Sequence, residues 1–195
     1  DRSPSRGLGD VYKRQAYNAQ KYIRQAVESV IQQTTDADIE VLVIDDGSTD
    51  STKEIVYELQ EECRNRKMDH REICDCPNEK NMGVAESRNN GIRKANGEYI
   101  AFLDADDWWE NEKIEKQLQA LEASKAVLCA TARELVRADG KTLDRIIEIP
   151  ECIQYQALLK TNCIPCSSVI LKTEVAREFY ICLLYTSPSP RDGLL

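Results

Sequence analysis

The sequence predicts an α/β domain built on a largely parallel sheet with helices on its faces. Short apolar runs of strand length alternate along the chain with amphipathic segments of helical length. Such alternation favours a parallel sheet, because each crossover between parallel strands needs a helix. Two of the apolar runs end in aspartates, at Asp45-Asp46 and at Asp104 to Asp107. In sheets of this kind, ligands bind beyond the carboxyl ends of the strands.

The predicted elements follow in a regular order. Apolar residues at helical spacing indicate a helix over 19–33, and β-branched residues indicate a strand over 39–44. The second helix begins at Ser51-Thr52-Lys53-Glu54, which has the spacing of a capping box. The later predicted helices are 81–93, 112–123 and 155–160, and the later strands are 71–76, 98–103, 127–136 and 168–171. A last helix carries Glu174 and Glu178.

Composition limits the possible partners. The chain has 195 residues and a formal net charge of −8, and no basic stripe interleaved with aromatic residues is visible. This argues against nucleic acid or an anionic membrane surface as the main partner. No apolar run has the length of a membrane span, and no signal peptide is evident. We therefore expect a cytoplasmic protein, either free or peripheral at the inner face of the membrane.

Eight cysteines raise the question of disulfides or zinc. Cys74 and Cys76 are too close for a usual structural zinc pair, and Cys163 and Cys166 have no second pair at zinc-ribbon spacing. Reduced, mostly buried thiols are the favoured prediction for a chain without a signal peptide.

The two ends of the chain differ from its middle. Ser3-Pro4-Ser5-Arg6-Gly7-Leu8 is echoed near the other end by Ser187-Pro188-Ser189-Pro190-Arg191-Asp192-Gly193-Leu194. Both resemble translated adapter sequence at the ends of assembled environmental reads, although genuine flexible tails are the alternative. We interpret 1–15 and 181–195 as non-native flanks and 16–180 as the domain.

The acidic cluster at Asp104, Asp106 and Asp107 is the first candidate site. Like charges this close repel one another, so a fold keeps them at low cost only if they are solvated or hold a cation. Mg²⁺ and Mn²⁺ take oxygen ligands, usually one or two carboxylates together with substrate phosphates. The alternative is a loop whose aspartates cap the next helix.

Three further side chains are expected at the same sheet edge. Tyr17 offers a ring that can stack on a nucleobase, although packing is the commoner role of such a residue. Asp46 can accept a hydrogen bond from a base or ribose, or can form an Asx turn with Gly47. Arg88 has the planar charge that suits a diphosphate, or can serve as a surface ion-pair partner.

These pieces, in this order and at this spacing, resemble the inverting GT-A glycosyltransferases of family 2. The matching segments are residues 16–19, 23–33, 43–50, 81–91, 97–107 and 165–171. The resemblance implies a GT-A fold, incomplete at both ends of this chain. It also implies transfer of a sugar from a nucleotide-diphosphate sugar, most commonly a UDP-sugar, to a saccharide or lipid-linked acceptor. Bacterial surface polysaccharide synthesis is the commonest setting of the family.

The resemblance also implies roles for individual residues. Tyr17 and Asp46 would contact the nucleobase, and Arg88 would lie near the diphosphate or the base edge. Asp104 and Asp106 would form the Asp-x-Asp pair that holds ribose and Mg²⁺ or Mn²⁺, and Asp107 would share the metal. Trp108 and Trp109 would wall the site or pack beneath it, with packing expected for at least one ring.

Two parts of the family pattern are missing. No residue in the matching region can be assigned as the general base, because Glu174 and Glu178 come too early in the order. The first strand of the family's sheet is replaced by Val11-Tyr12-Lys13-Arg14-Gln15, and we expect the desolvation cost of Lys13 and Arg14 to exclude it from a buried strand. The chain by itself is therefore expected to be an inactive, marginally folded fragment.

Two other functions fit parts of the pattern. A Mg²⁺-dependent phosphotransferase could use Asp104-Ala105-Asp106, as haloacid-dehalogenase phosphatases use a strand-end Asp-x-Asp. Those sites normally continue into a Gly-Thr turn, whereas Asp107-Trp108-Trp109 follows here. A non-catalytic nucleotide-sugar-binding domain is the other alternative.

Overall fold

The computed structural model describes residues 11–13, 17–68, 70–137, 142–149 and 164–179. Its strands are β1 Val11–Lys13, β2 Ile39–Val43, β3 Arg71–Asp75, β4 Tyr99–Leu103, β5 Leu128–Ala130, β6 Arg133–Val136, β7 Thr142–Ile147 and β8 Val169–Lys172. Its helices are α1 Ile23–Ile31, α2 Thr52–Asn65, α3 Gly83–Lys94, α4 Lys113–Ser124 and α5 Thr173–Phe179, and a 3₁₀ turn spans Cys166–Ser168. The predicted helix at 155–160 lies outside the described residues.

A six-stranded sheet with the order β3-β2-β1-β4-β8-β5 organises the fold. The first four strands of that order run parallel, and β8 is antiparallel to both β4 and β5. The chain moves outward from β1 through β2 to β3 and then crosses back to β4 on the other side of β1. The reversal of strand order between β1 and β4 makes a topological switch point, where ligands bind in open α/β sheets.

Two hydrophobic cores cover the two faces of this sheet. Alternate residues of β2 and β4 point to opposite faces, as a strand requires. Val41 and Leu103 pack with α1, α2 and α4, whereas Leu42 and Phe102 pack with α3 and α5. The interior strands are therefore apolar on both faces, which explains why β2 reads as a nearly continuous apolar run.

The predicted α/β class is confirmed, and several boundaries shift. α1 is shorter than the predicted 19–33, and the predicted strand at 127–136 divides into β5 and β6. β6 leaves the main sheet and pairs with β7 in a separate two-stranded sheet. The capping box at Ser51 is wrong, since no side-chain cap bond forms there. Instead, the Thr52 amide donates to Asp50 Oδ1 at 3.1 Å.

The expectation that residues 11–15 cannot enter the sheet is wrong for Val11–Lys13. These three residues form β1, which pairs in parallel with β2 and β4. Backbone hydrogen bonds to two neighbouring strands do not depend on side-chain identity. Lys13 is the last residue of the strand, at the carboxyl end of the parallel strands. Among the described residues, no helix is long and apolar enough to cross a lipid bilayer.

Candidate active site

Strands β1, β2 and β4 are parallel neighbours, so the chain leaves all three at the same edge of the sheet, beside the switch point. The loop after β1 is fastened to the loop after β2, because the Asn18 amide donates to Ser48 Oγ at 3.0 Å and Asn18 Oδ1 accepts from the Thr49 amide at 3.0 Å. Asn18 has φ of 52°, a left-handed conformation that asparagine tolerates better than most residues. This arrangement leaves Tyr17 half exposed beside the fastened loops.

Asp45 forms the Asx turn that the sequence allows as one possibility for Asp46. Its Oδ1 accepts from the Ser48 amide at 3.1 Å and from Ser48 Oγ at 2.6 Å. The Asx-type turn therefore belongs to Asp45, and Asp46 is available for other partners.

Asp46 is fully buried and binds the segment that leads into α3. Its Oδ1 accepts from Asn78 Nδ2 at 2.7 Å and from the Met82 amide at 2.8 Å, and its Oδ2 accepts from the Gly83 amide at 3.0 Å. Burial by itself raises the pKa of this carboxyl, but hydrogen bonds from Met82, Asn78, Gly83 and Ser87 outweigh burial and bring the pKa below its ordinary value. The carboxylate thus stays ionised and joins the end of β2 to the entry of α3.

Arg88 and Asp104, both predicted at the same edge of the sheet, are in contact. Arg88 Nη2 lies 3.4 Å from Asp104 Oδ1, and the two side chains are only 12% and 13% exposed. Arg88 comes from α3 and Asp104 directly follows β4. A guanidinium and a carboxylate therefore lie side by side at the end of the strand that borders the switch point.

The acidic loop, defined as residues 104–107, turns sharply after β4. The Asp107 amide donates to the Asp104 carbonyl at 3.0 Å, which closes the turn. Asp106 is exposed, and no hydrogen bond or ion pair in the described part of the chain engages its carboxylate. Asp107 is also exposed, and its Oδ2 accepts from Ser167 Oγ at 2.6 Å.

The carboxylate oxygens of the acidic loop are suitable ligands for Mg²⁺ or Mn²⁺, although they are too few to surround the ion. Within the described ranges, no group of three or more His, Cys, Asp or Glu is arranged to hold a metal ion. Mg²⁺ does not need such a group, since it retains water and binds through one or two carboxylates and substrate phosphates. Asp106 with Asp104 or Asp107 provides the hard oxygen ligands that this mode requires.

The two tryptophans have different surroundings. Trp109 is buried, its indole N–H donates to the Ser167 carbonyl at 2.7 Å, and its amide donates to Ser29 Oγ at 3.1 Å. Trp108 is 39% exposed. The prediction that at least one ring packs is confirmed for Trp109. Of the two rings, Trp108 is the one exposed enough to line the site.

Two residues of the site have no role in the sequence prediction. Asn78 joins Asp46 to Ser87 Oγ through its amide nitrogen and accepts from Asn90 Nδ2 through its oxygen. Ser167 bonds both ends of the acidic loop. The segment 165–171 supports the family resemblance, but nothing in its pattern indicates that one hydroxyl reaches a loop about 60 positions earlier.

Solved structures share the fold of this chain. Residues 1–349 of S. aureus TarS superpose with a TM-score of 0.69 at 24% identity, covering 95% of this chain and 52% of that one. The mannosyltransferase PcManGT from Pyrobaculum calidifontis, solved with GDP-Man and Mn²⁺, gives a TM-score of 0.60 at 17% identity, covering 87% of this chain and 46% of that one. These neighbours place the chain in the GT-A fold class.

The sequence itself identifies the family. The family model described as Glycosyl transferase family 2 matches residues 15–173. The chain therefore belongs to glycosyltransferase family 2.

Curated relatives agree with this assignment. The putative teichuronic acid biosynthesis glycosyltransferase TuaG of Bacillus subtilis is 36% identical over 159 residues, which are 82% of this chain and 60% of TuaG. The Escherichia coli protein WfaP, named as a UDP-Glc:alpha-D-GlcNAc-diphosphoundecaprenol beta-1,3-glucosyltransferase, is 37% identical over 156 residues, or 80% of this chain and 57% of WfaP. The chain thus spans somewhat more than half the length of these relatives.

Proposed function

We propose that this chain is the donor-binding part of an enzyme that transfers a sugar from a nucleotide-diphosphate sugar to an acceptor hydroxyl, with inversion at the anomeric carbon. The observation that carries the proposal is the pairing of Arg88 with Asp104 at the switch point, two positions before the exposed carboxylate of Asp106. A diphosphate needs a cationic partner, and a divalent cation bound to it needs carboxylates close by.

Each predicted site residue has a role in this proposal. Tyr17 stacks on the base, buried Asp46 orders the segment that leads into α3 beneath the base, and Asp104 holds the ribose. Asp104, Asp106 and Asp107 supply the ligands of Mg²⁺ or Mn²⁺. When bound, the cation would neutralise the charge that develops on the leaving diphosphate. Arg88 adds a fixed positive charge at the same place.

Relatives and structural neighbours support the choice of substrates. TarS has been solved with UDP and with UDP-GlcNAc, and the name of WfaP gives a UDP-sugar donor and a lipid-linked acceptor. We propose a UDP-sugar donor and a saccharide or lipid-linked acceptor for this chain, in bacterial surface polysaccharide synthesis. The enzyme would then work in the cytoplasm or at the inner face of the membrane.

The general base forms part of the same proposal. β8 runs antiparallel to β4, so it ends at the sheet edge opposite the acidic loop. The Thr173 amide donates to the Glu98 carbonyl at 2.9 Å, next to the start of β4. Glu174 follows immediately, which supports the view that neither it nor Glu178 takes the acceptor proton. We propose that the base belongs to the longer protein and that the 195-residue chain alone is inactive.

The decisive experiment uses Asp106→Ala in the full-length protein. We expect the affinity for UDP, measured calorimetrically in saturating Mn²⁺, to fall at least tenfold. Even the loss of a residue that only orients a metal ligand costs roughly 10- to 100-fold in metal affinity, and Asp106 is proposed to bind the metal directly. The control is Glu54→Ala, which removes an exposed carboxylate from α2. Unchanged UDP affinity in Asp106→Ala would contradict the metal role. Phosphate release from a phosphomonoester, without UDP release from a UDP-sugar, would contradict sugar transfer.

A further inference from the structure

Ser167 joins the two ends of the acidic loop through a single oxygen atom. Its Oγ accepts from the Asp104 amide at 3.0 Å and donates to Asp107 Oδ2 at 2.6 Å. A hydroxyl can accept and donate at the same time, whereas lysine or arginine can only donate and an ionised carboxylate can only accept. The residue is 60 positions from Asp107 in sequence, so this contact exists only in the tertiary structure.

The backbone around Ser167 is held by three residues from separate parts of the chain. The Ser167 carbonyl accepts from Trp109 Nε1 at 2.7 Å. The Ser168 carbonyl accepts from Gln117 Nε2 at 2.9 Å and from the Thr131 amide at 3.2 Å. Because these bonds hold the 166–168 turn in place, the Ser167 hydroxyl has a fixed position and can restrain the acidic loop.

Besides Ser167, the turn bond from the Asp107 amide to the Asp104 carbonyl and the ion pair of Asp104 with Arg88 constrain the acidic loop. Asp106 and Asp107 are exposed, and adjacent carboxylates repel one another when no cation is present. The hydrogen bond from Ser167 restrains one of these carboxylates without adding charge. A site restrained in this way before its ligand arrives loses less freedom on binding.

We propose that Ser167 is a positioning residue, whose hydroxyl holds Asp104 and Asp107 in the arrangement that binds the divalent cation and leaves Asp106 open to it. This inference rests on the proposed function, since it concerns the same cation. Ser167 does not contact the cation in this proposal. It acts only through the backbone of Asp104 and the carboxylate of Asp107.

The test compares three substitutions in the full-length protein. Ser167→Ala removes both hydrogen bonds, and Ser167→Thr retains a hydroxyl. Ser168→Ala removes the neighbouring hydroxyl, which donates to the Pro165 carbonyl at 2.7 Å and does not reach the acidic loop. Free Mn²⁺ is titrated by electron paramagnetic resonance in the presence of UDP, and thermal melting is recorded for each variant.

We expect Ser167→Ala to weaken Mn²⁺ binding roughly tenfold, in the range typical of residues that orient metal ligands. Ser167→Thr should restore most of the affinity, and Ser168→Ala should lower the melting temperature while leaving Mn²⁺ affinity unchanged. Equal Mn²⁺ affinity in Ser167→Ala and wild type would overturn the proposal. So would a loss of affinity in Ser168→Ala as large as that in Ser167→Ala, because the effect would then come from the turn.

The same titration separates this proposal from the function on which it rests. If wild type binds Mn²⁺ and Asp106→Ala does not, the proposed cation site stands, and the Ser167 variants decide the role of the hydroxyl. If wild type binds no Mn²⁺ in the presence of UDP, the cation site and the role of Ser167 both fail.

Discussion

Lys113 is a cation enclosed by the protein at the start of α4. It is 9% exposed, its Nζ lies 4.0 Å from the centroid of the Trp109 ring, and it donates to Gln117 Oε1. The ring and the amide both favour the charged form. Burial opposes them and lowers the pKa of Lys113 to about 7, with a smaller opposite effect from Cys129.

This depressed pKa makes stability depend on pH. Between about pH 7 and the ordinary lysine pKa of 10.5, the unfolded chain holds a proton that the native protein has released, so the free energy of unfolding rises with pH. From pH 6.5 to 8.5 this gain amounts to about 2 kcal/mol. We expect the melting temperature of wild type to rise by several degrees over this range relative to Lys113→Met.

The control is Lys116→Met, which removes an exposed lysine one turn along the same helix. Its melting temperature should follow the wild-type pH profile. Parallel profiles for wild type and Lys113→Met would show that Lys113 does not titrate in this range.

Asp46 shows which properties of a site residue a sequence motif does not determine. Asp46 is correctly predicted to lie at the end of β2, because a strand-end aspartate follows from the apolar run before it. Its burial and its bonds to Asn78 and to the entry of α3 depend on a segment more than 30 residues later. No local pattern predicts that Asp46 and not Asp45 binds the entry of α3, since both follow the same strand and both are buried.

At the scale of elements, Arg71 fixes the connection between α1 and β2. Its guanidinium donates to the carbonyls of Gln33, Thr35, Ala37 and His70 at 2.7 to 3.0 Å. Such a connection has no ladder of its own, so its carbonyls would otherwise need water. The planar fork of arginine reaches several acceptors that a lysine ammonium cannot reach together.

We therefore expect Arg71→Lys to lower the free energy of unfolding by about 2–4 kcal/mol, as measured by urea denaturation, since bonds from a charged donor to partly buried carbonyls are lost. Arg64→Lys is the matched control. Its side chain is 67% exposed and pairs with Glu61, so its cost should stay within about 0.5 kcal/mol. Equal effects of the two substitutions would exclude this role for Arg71.

Element types are predicted better than their ends or partners. The predicted helix at 112–123 and the helix Lys113–Ser124 differ by one residue at each end, because its apolar spacing is regular. The strand predicted at 127–136 fails as one element, because β5 pairs with β8 and β6 pairs with β7. Pairing between distant segments decides where a strand ends, and hydrophobic spacing does not contain that information.

At the scale of the whole molecule, β1 connects the two halves of the sheet. It lies between β2 and β4, so without it the sheet would lose its central ladder. We expect a chain lacking residues 1–15 to melt at a lower temperature than the 195-residue chain. A chain lacking 181–195 loses none of the described elements and should melt as the 195-residue chain does. Equal melting of the two truncated chains would mean that β1 is dispensable.

The sequence by itself determined the class of fold, the order of most elements and the family, because these depend on local apolar spacing and on motifs that are contiguous along the chain. It also placed Tyr17, Asp46, Arg88 and Asp104 at one edge, because parallel strands bring their carboxyl ends together. The tertiary structure alone decided that Val11–Lys13 completes the sheet, that Asp46 is buried, and that Ser167 reaches the acidic loop. The physical reason is the same in each case: these features are contacts between segments far apart in sequence, and they exist only after the strands have paired.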